Sequence, residues 1–170
     1  GEHDEVIYSR YAFIVYPLVT KAINAVAKEI PAKDWGHDLN GFLTALSDKT
    51  KLIFIANPNN PTGNFLTEAE LDAFLTKVPE NVIVVLDEAY TEFTHPSERV
   101  NSFALLNKYP NLIVSRSLSK AYGLAGLRIG YAVSNPEIAD LLNRVRQPFN
   151  CNSLALTSAI AVMNDDAFVE

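Results

Sequence analysis

Six short apolar runs alternate with segments of helical spacing along this chain, and that alternation leaves few folds open. The runs lie at 6–9, 27–30, 52–56, 82–86, 112–115 and 129–133; the helical patterns lie at about 17–26, 38–47, 67–77, 102–108, 136–146 and 153–164. Runs 52–56 and 82–86 are continuously apolar, as strands covered on both faces must be. The reading is therefore α/β, with a mostly parallel central sheet. Two helix starts carry their own chemistry. Thr67 and Glu70 are spaced as a capping box, and Asn135-Pro136 sets a cap residue before a proline at the first helical position.

At 170 residues and 48% hydrophobic composition, one domain with a real core is expected. The net charge of −6 and the scattered Lys and Arg offer no footprint for nucleic acid or an anionic membrane surface. No apolar run is long enough to span a bilayer as a helix. The polar, acidic opening Gly-Glu-His-Asp-Glu is unlike a secretory signal, and the single cysteine, Cys151, suits a reducing compartment. A cytoplasmic protein is expected. With no initiator Met, and with acids at 165–166 spaced for the first turn of a helix, the chain reads as a piece of a longer protein.

Three segments follow apolar runs directly, and the carboxyl ends of parallel strands are where α/β proteins bind ligands. Asn57-Pro-Asn-Asn-Pro-Thr-Gly63 is either a surface turn or a rigid frame that holds Asn side chains. Asp87-Glu-Ala-Tyr90 closes an apolar strand with two carboxylates: a solvated strand end, or an acid at the rim that needs a donor or cation to stay ionised. Residues 117–131 combine Ser117, Ser119, Lys120, Arg128 and three glycines. Small residues admit a ligand to the backbone, hydroxyls with an arginine fork make a phosphate site, and a lysine among apolar neighbours can attack an aldehyde. His3, His37 and His95 read as polar-surface residues, not metal ligands, Trp35 as the cap of a core edge, and Tyr122 and Tyr131 as packing.

Taken in order, Asn-Pro-Thr-Gly, then Asp-x-x-Tyr, then Ser-x-x-Lys with Arg eight residues on resembles the signature of fold-type I pyridoxal-phosphate aminotransferases. The wording of 57–63, 87–93, 117–131, 146–153 and the aromatic segment 11–16 is similar to the histidinol-phosphate aminotransferase family. The resemblance covers essentially the whole chain. It implies a three-layer α/β sandwich, the large domain of a fold-type I transferase, around a seven-stranded sheet. It also implies a homodimer whose active site is shared between subunits.

On that resemblance Lys120 is the catalytic, Schiff-base lysine, and Asp87 is the carboxylate facing the pyridine nitrogen. Asn60 and Tyr90 bond the ring's phenolic oxygen, and Ser117, Ser119 and Arg128 anchor the phosphate. Spacing aligns Phe13 with the ring-stacking aromatic, with Tyr11 as its neighbouring alternative, and Asn60-Pro61 with a cis peptide. The resemblance further implies that residues 1–170 are part of the cofactor-binding large domain. A small domain, an N-terminal region, a glycine-rich phosphate turn and a substrate-carboxylate arginine would lie outside it, so the piece alone is expected to be inactive or unstable. The implied reaction moves an amino group between L-histidinol phosphate and 2-oxoglutarate in histidine biosynthesis, with pyridoxal 5′-phosphate as cofactor. Rivals on the same fold are an aromatic-amino-acid aminotransferase and a threonine-phosphate decarboxylase; a rival of another class is the cofactor-sensing domain of a transcription regulator.

Overall fold

Residues 1–169 are described by a computed structural model. All six apolar runs are strands: β1 (Glu5–Ser9), β2 (Val26–Ile30), β3 (Thr50–Ala56), β4 (Ile83–Asp87), β5 (Leu112–Ser117) and β6 (Gly130–Ser134). They form one sheet in the order β2-β1-β3-β4-β5-β6, parallel throughout except for the antiparallel β5–β6 pair. The described residues thus supply six strands where the resemblance implied seven.

The helices are α1 (Val15–Ala22), α2 (Leu39–Thr44), α3 (Glu68–Leu75), α4 (Ser102–Lys108), α5 (Pro136–Val145), α6 (Ser153–Val162) and α7 (Asp166–Val169). The helical start expected at 165–170 is α7, with Glu170 outside the described residues. Helix α1 is the clearest departure from expectation. It begins two residues early and stops four short of 26, because Asn24 turns left-handed (φ 55°) and the chain enters β2 at once. A short polar side chain makes that turn at little cost. Both expected caps are made: Thr67 Oγ1 accepts from the Glu70 amide while Glu70 returns the bond to the Thr67 amide, and the Asn135 side chain accepts from Ile138.

Alternation along the central strands divides the core between two faces. Ile53 and Ile55 of β3 and Val84 and Leu86 of β4 turn to one side, where Phe42, Leu71, Phe74 and Leu75 seal them from water. Leu52 and Phe54 turn to the other side with Val6 and Tyr8, and Tyr16 of α1 covers them. Both faces of β3 are packed and the second face of β4 is half-buried, which is why these segments read as unbroken apolar runs. The carboxyl ends of β3, β4 and β5 therefore open side by side at one edge of the sheet, and the three chemistry-bearing segments leave from there.

Candidate active site

One cavity of about 320 Å³ sits at that edge, and all eight residues singled out in the sequence line it. The loop after β3 contributes Asn60, and the end of β4 contributes Asp87 and Tyr90. The end of β5 and the segment after it contribute Ser117, Ser119, Lys120 and Arg128, and Phe13 closes the wall from the turn before α1. Tyr11 is not part of that wall. Its ring pairs with Trp35 at 5.2 Å, and Trp35 is two-thirds exposed rather than capping a core edge.

The Asn-rich loop is a rigid frame, not a loose turn. The buried Asn57 side chain accepts from the Leu66 amide and donates to the Leu66 carbonyl, stapling the loop's two ends together. Asn59 donates to Thr62 Oγ1 and to the Tyr11 carbonyl, and Gly63 takes a left-handed φ of 76°. Both Asn57-Pro58 and Asn60-Pro61 are cis. In this frame the Asn60 amide points at the Tyr90 hydroxyl and donates to it at 3.2 Å. The Tyr90 ring in turn lies 5.2 Å from Lys120 Nζ.

At the other side of the cavity two serine hydroxyls and an arginine come together. The Ser119 amide donates to Ser117 Oγ at 3.1 Å, and Arg128, in a left-handed conformation, brings Nη1 within 3.5 Å of Ser119 Oγ. The Ala125 carbonyl takes a second bond from Nη1 at 2.8 Å, which holds the guanidinium in place. Gly130 is required for this packing, since a Cβ there would meet the Arg116 carbonyl at 2.6 Å.

The two carboxylates that end β4 part company, as alternation demands. Asp87 faces the cavity. Its Oδ2 accepts from the Tyr16 hydroxyl at 2.7 Å, and its Oδ1 accepts from the Ala89 amide at 3.2 Å. Glu88 turns inward, 1% exposed, where Arg116 Nε at 2.9 Å and Ser102 Oγ at 3.0 Å meet the same oxygen. Burial raises the Glu88 proton affinity above its ordinary value, while the Arg116 charge works against that rise.

Tyr16 and Arg116 also line the cavity and were not singled out in the sequence. A signal existed for each. Tyr16 follows Phe13 by three residues at a helix start, which puts both on one side. A second acid at a strand end calls for a cation, and Arg116 is the residue beside Ser117.

His37 corrects the expectation of polar surroundings. It is buried, its Nε2–H donates to the Ala56 carbonyl at 2.8 Å, and the Phe42 ring meets it edge-on. Burial pushes its pKa below the ordinary 6.5. The unfolded chain therefore binds the extra proton first, so stability is full above about pH 6.5 and falls as acid is added, by up to about 1.4 kcal/mol per pH unit. A His37→Gln variant should flatten the fall in unfolding free energy between about pH 7 and 5; an unchanged slope would assign the fall to other groups.

Residues 1–170 match the family described as "Aminotransferase class I and II". The chain is 85% identical over 169 residues to histidinol-phosphate aminotransferase 2 of Haemophilus influenzae, covering 99% of this chain and 46% of that protein. It is 78% identical over 169 residues to histidinol-phosphate aminotransferase 1 of Mannheimia succiniciproducens, again covering 99% of this chain and 46% of the relative. Among solved structures, histidinol-phosphate aminotransferase from Sinorhizobium meliloti, in complex with pyridoxal-5′-phosphate, superposes with a TM-score of 0.92 at 32% identity. That match covers 98% of this chain and 46% of the other. L-threonine-O-3-phosphate decarboxylase from Porphyromonas gingivalis superposes at 0.79 with 25% identity, covering 98% and 48%. The chain spans about half the length of the curated relatives it matches. A family match along every residue and a sheet edge that gathers the motif side chains lead to one conclusion: this chain belongs to the class I and II aminotransferases.

Proposed function

We propose that the protein is a pyridoxal-phosphate-dependent aminotransferase acting on L-histidinol phosphate and 2-oxoglutarate in histidine biosynthesis. One observation carries this reading: Lys120, Asp87 and an Arg–Ser cluster face one cavity. Pyridoxal phosphate needs an amine for its aldehyde, a carboxylate for its ring nitrogen and a cationic fork for its phosphate, and the donor set fits each need. Bound there, the cofactor supplies an electron sink for charge that develops at the substrate's α-carbon.

The chain's own residues do the rest. Asp87 would accept from the ring nitrogen's N–H, and a carboxylate there would favour the protonated ring. Asn60 and Tyr90 would hold the phenolic oxygen by hydrogen bonds. Arg128 would pair with the phosphate through a planar fork, and Ser117 and Ser119 would donate beside it. Lys120 would hold the aldehyde through its amine and would carry a proton to or from the substrate's α-carbon.

The substrate assignment rests on the names of the relatives at 85% and 78% identity. On this reading, residues 1–170 form part of the cofactor-binding large domain of a cytoplasmic homodimer. Exposed Ile14, Leu18, Val19 and Ile23 on and beside α1 are the kind of surface a second subunit covers. Among the described residues, no helix is long and apolar enough to cross a membrane.

The test is turnover by the whole protein. Histidinol phosphate with 2-oxoglutarate is expected to give the highest kcat/KM of a set that includes phenylalanine and threonine phosphate. Preference for phenylalanine, or carbon dioxide release from threonine phosphate, would replace this reading by one of its rivals.

A further inference from the structure

We propose that Tyr16 is a positioning residue, clamping the Asp87 carboxylate in the orientation that meets a cationic ring nitrogen. The inference rests on the functional reading above and adds a residue to it. Asp87 has two oxygens and two donors: the Ala89 amide holds Oδ1 at 3.2 Å, and the Tyr16 hydroxyl holds Oδ2 at 2.7 Å. The shorter bond comes from a ring fixed on several sides. Tyr16 is 4% exposed, stacks on Phe54 at 4.5 Å with planes 2° apart, and meets Phe13 edge-on at 5.9 Å. Its carbonyl takes a bond from Thr20 Oγ1 at 2.7 Å, which ties it to α1. One side chain thus sets both the acid and the aromatic wall against each other.

The hydroxyl is a donor under all working conditions, because burial and the Asp87 charge push its deprotonation far above the ordinary tyrosine range. A carboxylate with one oxygen held and the other unheld would swing about its Cβ–Cγ bond, and part of its pairing with a bound cation would be lost.

The experiment is a double-mutant cycle in the whole protein, read as the dissociation constant of pyridoxal phosphate from the apo form. Tyr16→Phe keeps the ring and its stacking and removes only the hydroxyl. It is expected to weaken cofactor binding about tenfold, as loss of one hydrogen bond to a charged group does. In an Asp87→Asn background the same substitution is expected to have little further effect, since its target is gone. The apo protein's thermal midpoint follows any general loosening and should move little. Equal losses in both backgrounds, or no loss in either, would overturn the inference while leaving the enzyme assignment standing. Failure of the unaltered protein to bind pyridoxal phosphate would overturn the functional reading and this inference with it.

Discussion

Lys120→Ala is expected to lower turnover by at least about 10⁴-fold while leaving the fold intact. Proton transfer by a positioned side chain is worth roughly 10²–10⁴-fold by itself, and on the proposed reading this residue is also the nucleophile. No neighbour can stand in: Lys120 is the one lysine in the cavity wall among the described residues. The side chain is exposed and lies over the face of Tyr90, so removing it should change stability by no more than about 0.5 kcal/mol. Lys120→Arg separates the two properties of the residue. It keeps the charge over the Tyr90 ring but cannot condense with an aldehyde at neutral pH, and it should lose as much activity as alanine. Borohydride treatment followed by peptide mapping gives a readout independent of turnover. The label should sit on Lys120 in the unaltered protein and be absent from both variants. A label elsewhere, or an alanine variant with near-normal rates, would remove the assignment.

How much of this was legible in the sequence differs between the sheet and the contacts across it. The central strands announce themselves because both faces of β3 are packed, which forces runs such as Ile53-Phe54-Ile55 with no polar break. The end of α1 does not announce itself. Its apolar pattern runs on to Val26, and only the left-handed turn at Asn24 separates helix from strand. The cavity-lining residues were legible because most belong to a motif at a strand's carboxyl end, and a parallel sheet gathers such ends. The contacts that orient them were not. Tyr16 and Asp87 are 71 residues apart, and they meet because β1 lies beside β3 and β3 beside β4. Strand order is a property of the whole chain, and no local pattern carries it. Alternation alone could have split Asp87 from Glu88, but which of the two faces the ligand depends on which side of β4 opens at the rim.

That split leads to the second large effect, a loss of stability rather than of chemistry. Arg116→Met is expected to destabilise the fold by about 3–5 kcal/mol near neutral pH, because it strands the Glu88 carboxylate in the interior with Ser102 as its remaining donor. Methionine retains much of the length that packs over Phe103, whose ring lies 5.0 Å from the guanidinium, so lost packing is a minor part of the cost. The charge origin makes two checkable demands. First, adding Glu88→Gln to the Arg116→Met variant should recover most of the stability, since a neutral amide does not need the arginine. Second, the loss should shrink in acid. Burial already raises the folded-state proton affinity of Glu88 above the ordinary 4.5, and removing Arg116 raises it further. The folded variant then binds a proton that the unfolded chain does not hold. Its stability is greatest below about pH 4.5 and falls as pH rises towards the folded-state value. Denaturant titrations at several pH values measure both demands. A loss below about 1 kcal/mol, or one that neither acid nor Glu88→Gln relieves, would mean that the pair does not hold the ends of β4 and β5 together. Since Arg116 adjoins Ser117 and lines the same cavity, the stability lost there should appear again as weaker cofactor binding.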